Sequence, residues 1–202
     1  SNGNITLATS AGLSNNSDQT GSLGVGTNAL NSETSGTNNT AFGTDALDEN
    51  TTGSDNVAVG AALVKNTSGG LNTAVGRAAL HFNTTGDNNT ACGNAAMQSN
   101  TSGENNVAVG HESLISHTEG EKNTALGAQA LRSITTNDQS TAVGFNALRS
   151  ATGGNNTAVG SNAGFQPTTG TLNAYLGWYA GFGTSGASAS QNTFVGAMAG
   201  YG

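Results

Sequence analysis

One glycine recurs through this chain at a nearly fixed interval, and that interval restricts the fold more than any other feature. Gly26, Gly43, Gly60, Gly76, Gly93, Gly110, Gly127, Gly144, Gly160, Gly177 and Gly196 each close a segment of the form N-T-A-V-G. The successive spacings are 17, 17, 16, 17, 17, 17, 17, 16, 17 and 19 residues. A degenerate unit, Asn4-Ile5-Thr6-Leu7, precedes the first. Residues 1–202 therefore read as a single repeat array. A unit this short cannot hold a helix pair, which needs about 33 residues, nor a four-stranded propeller blade. It suits short strands joined by turns, each unit stacked on the one before.

Aligned on that glycine, the columns separate by chemistry. The residue before it is apolar throughout: Val25, Phe42, Val59, Val75, Cys92, Val109, Leu126, Val143, Val159, Leu176 and Val195. Two before it stands Ala from Ala41 to Ala158, and four before it Asn, from Asn39 to Asn192, with Ser22 and Ser140 as exceptions. Four after it comes an Ala-Leu pair, as in Leu30, Leu47, Leu80, Leu114, Leu131 and Leu148, with Met97 as a variant. A Thr recurs later in each unit, among them Thr34, Thr51, Thr84, Thr118, Thr168 and Thr184, generally followed closely by Gly. The 17 charged side chains avoid the N-T-A-V-G and Ala-Leu columns and fall between them. Those two sets of columns are expected to be buried and the Thr-Gly arm to face water.

The alternation of β-branched residues with Ala in T-A-V predicts a strand. Its closing Gly marks a corner, the Ala-Leu pair a second short strand, and T-T-G-x-x-N a turn. The fold class is thus all-β: a parallel β-solenoid of about 11–12 coils with 16–17-residue repeats. Stacked units lie about 4.8 Å apart, so eleven rungs make a rod on the order of 50 Å long. Equivalent residues then form ladders, and an Asn column at a corner can bond amide to amide along the axis.

Composition agrees. Gly is 31 and Asn 27 of the 202 residues, only 8% are charged and 34% hydrophobic, against about 25% and 45–50% in average proteins. Such a chain lacks the bulk for an ordinary mixed core. Within a strand, Thr and Val point to one face and Ala to the other, and both faces are almost free of charge, as in strands covered on both sides. One face fills the coil; the other is expected to meet identical chains around a shared axis, as a homotrimer.

The motif N-T-A-V-G-x-x-A-L with a following T-T-G-x-x-N, as in Asn72–Leu80 and Thr84–Asn89, resembles the head repeats of trimeric autotransporter adhesins. It is also similar to repeat arrays of phage tail fibres. That resemblance, which covers essentially the whole chain, implies a left-handed parallel β-roll, homotrimeric and extracellular, on a virion tail fibre or a bacterial surface. It implies a shaft, or a part that contacts a receptor such as a cell-surface glycan or protein.

Candidate sites are few. Over residues 161–202 the Leu gives way to Gly164, Gly181 and Gly200, each followed by an aromatic: Phe165, Phe182 and Tyr201. Tyr175 and Phe194 replace Ala, and Trp178 and Tyr179 follow a corner. Either the interior is repacked or rings are presented outward; Trp178, Tyr179, Phe182 and Tyr201 are the candidate receptor-binding residues. Cys92 reads as a small apolar residue of its column. His81, His111 and His117 occupy different columns and are expected to face solvent, as are Asp48-Glu49 and Glu119/Glu121. No catalytic set, metal site or cofactor motif is expected: Gly24–Gly26 lacks the Lys-Ser/Thr of a phosphate loop, and the single Cys excludes a disulfide framework and the usual zinc sites. A net charge of −7 argues against nucleic acid. The chain is not expected to be an enzyme, to insert directly into a membrane or to carry a signal peptide. The Thr column leaves one alternative, an ice-binding solenoid.

Overall fold

A computed structural model describes residues 13–14, 21–166, 169–182 and 189–201. Its strands are β1 (Leu13–Ser14), β2 (Leu23–Val25), β3 (Thr40–Phe42), β4 (Val57–Val59), β5 (Thr73–Val75), β6 (Thr90–Cys92), β7 (Val107–Val109), β8 (Thr124–Leu126), β9 (Thr141–Val143), β10 (Thr157–Val159), β11 (Ala174–Leu176) and β12 (Thr193–Val195). They form one sheet in sequence order. The eleven strands from β2 onward are parallel and wind a β-solenoid of about ten turns. β1 runs antiparallel to β2, with Leu13 opposite Val25. The unit at Asn4–Leu7 lies outside the described residues, as do Thr168 and Thr184.

Register follows the glycine frame. Ala74 pairs with Ala91 and Val75 with Cys92, and the 16-residue unit after Gly144 is absorbed without a slip, since Thr141 still pairs with Thr157. All corner glycines but Gly60 and Gly196 hold the chain where a side chain cannot go. Gly93 has φ of 139°, and a Cβ there would lie 2.6 Å from the carbonyl oxygen of Gly110 in the next coil. Only glycine meets both demands.

The Ala-Leu pair does not form the second strand expected of it. It sits in a run of turns, with Leu47, Leu80, Leu114 and Leu148 at φ of 53°, 49°, 50° and 49°. This left-handed backbone is unfavourable for leucine by itself. It is held because the Leu amide donates to the next coil, as from Leu80 to the Ala96 carbonyl at 3.0 Å, while the side chain fills the solenoid interior. Leu63 reaches the same interior stack from a unit one residue shorter. The core is thus a column of Ala from the strands facing a column of Ala-Leu from the turns.

In the single chain the strand's outward face is uncovered, as the sequence expects of a face that meets other copies. One expectation, of a solvated arm, is corrected. Asn and Ala of N-T-A-V-G are enclosed, but Thr and Val are not: along β7 the middle Ala108 is buried while Val109 is 38% exposed in the single chain. Alternation on a strand turns both neighbours of an inward Ala outward. Nor does the arm lie wholly in water, because Asn50, Asn66, Asn83 and Asn100 within it are fully buried.

Candidate functional site

Three arrangements stand out, and each follows from a column. The first is the outward face of the sheet. It presents Thr40, Thr73, Thr90, Thr124, Thr141 and Thr157 beside the apolar column Val25, Phe42, Val59, Val75, Cys92, Val109, Leu126, Val143, Val159, Leu176 and Val195. No Lys, Arg, Asp or Glu occupies either column. Phe42, Leu176 and Val195 are its most exposed members, and Cys92 is a free, exposed thiol on it. The structure places the whole apolar column together on this surface, outside the coil.

The second is the terminal aromatic cluster. Both sequence alternatives for residues 161–202 hold, for different rings. Tyr175 turns inward, 7% exposed, and a Cβ on Gly164 would lie 2.9 Å from its Cδ2. Tyr175 therefore occupies the space that Leu fills in earlier coils, and burial pushes its phenol pKa up. Phe194 stacks on it at 5.8 Å and meets Gly200 in the same way. The four candidate receptor residues lie outside this core and touch one another. Tyr179 is central, its ring centroid 4.6 Å from Trp178, 4.6 Å from Phe182 and 6.5 Å from Tyr201. Phe165, Phe182 and Tyr201 stack in successive coils at 5.5 and 5.4 Å, and the Arg149 guanidinium lies 5.6 Å from the Phe165 ring. Trp178 and Tyr201 are each about half exposed.

The third is a pair of polar ladders inside the coil, of which the sequence foresaw the one in the N-T-A-V-G column and missed the other. In the outer one, each Asn carbonyl accepts the backbone N–H of its counterpart in the next coil, as from Asn89 to Asn72 Oδ1 at 2.9 Å. In the inner one, side chain bonds to side chain. Asn66 Nδ2 donates to Asn50 Oδ1 at 2.7 Å, Asn83 to Asn66 at 2.8 Å and Asn100 to Asn83 at 2.7 Å. In four successive coils one glycine carbonyl, of Gly53, Gly69, Gly86 or Gly103, joins both ladders. Gly86 accepts from Asn72 at 2.8 Å and from Asn83 at 3.0 Å. Buried amides are tolerable because their hydrogens have acceptors.

His117 belongs to this inner ladder, which corrects its placement in solvent. It is fully buried, its Nδ1 3.0 Å from Asn100 Oδ1, and burial lowers its pKa to about 4, opposed by the charge of Asp138. Glu33 occupies the other end, also buried, where Asn39 Nδ2 donates to its Oε1. His111 is exposed beside Glu112, whose carboxyl is held low chiefly by the Arg132 hydrogen bond. His81 is partly exposed, edge-on to Phe82, with its pKa lowered by partial burial. Asp48 and Glu49 are partly exposed, Glu49 paired with Lys65, while Glu119 and Glu121 are exposed.

Among the described residues no three His, Cys, Asp or Glu gather as a metal site, and no helix is long and apolar enough to cross a membrane. Comparison with known proteins adds no relative: no family model, no curated protein and no solved structure matches the chain.

Proposed function

We propose that this chain is a non-enzymatic segment of an extracellular fibre, on a virion tail or a bacterial surface. Three copies wound as left-handed β-rolls pack their outward sheet faces around a common axis. The resulting stiff rod positions or provides recognition of a host surface, with the Trp178, Tyr179, Phe182 and Tyr201 cluster meeting a glycan or protein receptor.

The observation that carries this reading is the Thr/Val face: eleven strands deep, without a charge, and half-exposed in the single chain. A continuous apolar surface of that kind is usually an interface, and identical faces suit closed rotational symmetry. Stiffness would come from the ladders, which tie every coil to its neighbours. The ice-binding alternative draws less support. Hydroxyls of the arm's Thr ladder are engaged within the coil stack, as from Thr51 Oγ1 to the Thr67 carbonyl at 2.8 Å and from Thr84 Oγ1 to Thr101 at 3.0 Å.

Sedimentation equilibrium tests the assembly. A trimer is expected, and Val109→Asp should release well-folded single chains, because the substituted side chain faces outward rather than into the coil. A wild-type chain that sediments as a monomer would overturn the proposal, and thermal hysteresis from that monomer would favour ice binding instead. A glycan array with and without Trp178→Ala separates a binding segment from a plain spacer.

A further inference from the structure

The inner ladder carries a chemical motif that the fibre reading does not use. Asn50-Thr51-Thr52, Asn66-Thr67-Ser68, Asn83-Thr84-Thr85 and Asn100-Thr101-Ser102 are four acceptor motifs for N-linked glycosylation, N-x-Ser/Thr. They arise because three columns of the repeat happen to adjoin: a ladder Asn, a Thr whose hydroxyl reaches the next coil, and an exposed Thr or Ser at the turn. Three more motifs, beginning at Asn38, Asn88 and Asn155, lie in a different column, where the Asn is exposed at a left-handed turn of φ 57–58°. Those at Asn4 and Asn15 lie outside the described residues.

The two columns differ in what the amide nitrogen is doing. Asn66 Nδ2 directs its two hydrogens to Asn50 Oδ1 at 2.7 Å and to the Gly69 carbonyl at 2.8 Å. Asn83 Nδ2 bonds Asn66 Oδ1 and Gly86, and Asn100 Nδ2 bonds Asn83 Oδ1 and Gly103. Asn50 Nδ2 meets Glu33 Oε1 at 3.4 Å and Gly53 at 2.9 Å. All four side chains are 0% exposed. A glycan on Nδ2 would remove one of two engaged hydrogens and would place a sugar where the fold has no opening. On Asn88 or Asn155 it would project into solvent.

We infer that N-glycosylation of Asn50, Asn66, Asn83 or Asn100 and folding of the coil exclude one another, whereas Asn38, Asn88 and Asn155 accept the same group without loss of the fold. The transfer is ordinary amide glycosylation. The anomeric carbon of a lipid-diphosphate-linked oligosaccharide bonds to Nδ2, its bond to the phosphate oxygen breaks, the diphosphate carrier departs and the amide proton goes to solvent. Before folding, the seven motifs are chemically alike, so the outcome depends on whether the chain meets the transferase before or after it coils. The fold thus suits a route of synthesis in which N-x-Ser/Thr motifs stay unmodified until the coil has closed.

The test is expression of the full chain in a eukaryotic secretory host, with the product separated into protease-resistant and protease-sensitive fractions and glycan occupancy mapped in each by mass spectrometry. Of these seven motifs, the resistant fraction should carry glycans on Asn38, Asn88 or Asn155 alone, and the sensitive fraction should carry them on the ladder as well. The variant Thr52→Ala/Ser68→Ala/Thr85→Ala/Ser102→Ala erases the four motifs at exposed positions and leaves every ladder Asn in place. It should restore the resistant fraction in that host and match wild type when both are made in bacterial cytoplasm. A ladder glycan in the resistant fraction would overturn the inference. So would a sensitive fraction free of ladder glycans, or a variant that folds in cytoplasm yet gains nothing in the secretory host.

Discussion

Nδ1 of His117 lies 3.0 Å from Oδ1 of Asn100, in the rung where the three preceding coils place Asn66, Asn83 and Asn100 themselves. A carboxamide oxygen only accepts, so the imidazole carries its proton on Nδ1. This fixes the polarity of the whole inner ladder. Each Nδ2 donates toward the preceding coil, and the series ends on acceptor oxygen at Glu33 and on a donor nitrogen at His117. A neutral imidazole therefore fits this rung, with its Nε2 3.3 Å from Asn123 Nδ2.

Acid should weaken the fold chiefly through this residue. The folded pKa of about 4 lies below the ordinary 6.5, so the unfolded chain binds the proton first as pH falls. Stability is full above about pH 6.5 and declines as pH drops toward 4, by about 3 kcal/mol at 1.36 kcal/mol per unit. Urea unfolding at pH 7.5 and pH 4 measures the difference. His117→Asn, which restores the ladder residue, should remove most of that pH dependence; an unchanged slope would count against the assignment.

Breaking a middle rung should be costly. Asn83→Ala removes the acceptor of Asn100 Nδ2 and the donor to Asn66 Oδ1, both buried. Groups left without partners cost about 1–3 kcal/mol each, so a loss of about 3 kcal/mol in chemical denaturation is expected. Thr85→Ala, two residues away and exposed, should change stability by less than about 0.5 kcal/mol.

The terminal coils exchange a large turn residue for a large strand residue, and the exchange should be reversible. Tyr175→Ala alone leaves a void beside Gly164 and Gly181 and should cost about 3–5 kcal/mol. Adding Gly164→Leu and Gly181→Leu rebuilds the layout of the earlier coils. Both glycines have φ of 59° and 67°, close to the backbone that Leu already adopts at Leu47 and Leu148. Thermal melting should show the triple variant recovering most of the loss.

Cys92 offers a native probe of the proposed assembly. It is exposed on the outward face, between Val75 and Val109 of the adjoining strands. If three copies share that face, mild oxidation should join two chains and leave the third free, giving monomer and dimer bands on a non-reducing gel. Dilution to concentrations that keep chains apart should abolish the dimer.

The glycine interval was enough to read the coil, its parallel stacking and the inner Ala and Leu columns, because each rests on strict recurrence. The inner ladder escaped because its column is impure. Glu33 precedes the four asparagines and His117, Ile134 and Ala151 follow them, and two charged or titratable types made the segment resemble a solvated arm. The Ala-Leu turn escaped for another reason. Leucine has no local preference for φ near 50°, so only contact with the neighbouring coils imposes it. The aromatic swap was visible as a correlated change of Leu to Gly and Ala to Tyr, yet only coordinates could say which rings went in and which stayed out.

Backbone bonds outside β1 and the local turns run between adjacent coils, to a counterpart or its chain neighbour, as from Thr67 to Thr84 and from Thr73 to Asn89. Among the described residues, no backbone bond ties a coil to anything beyond its immediate neighbours. Length in such an object is a modular quantity: duplicating or excising one 17-residue frame lengthens or shortens the rod by about 4.8 Å and leaves every surviving junction intact. A gene encoding it can therefore retune reach by recombination between its own repeats, without inventing a new fold.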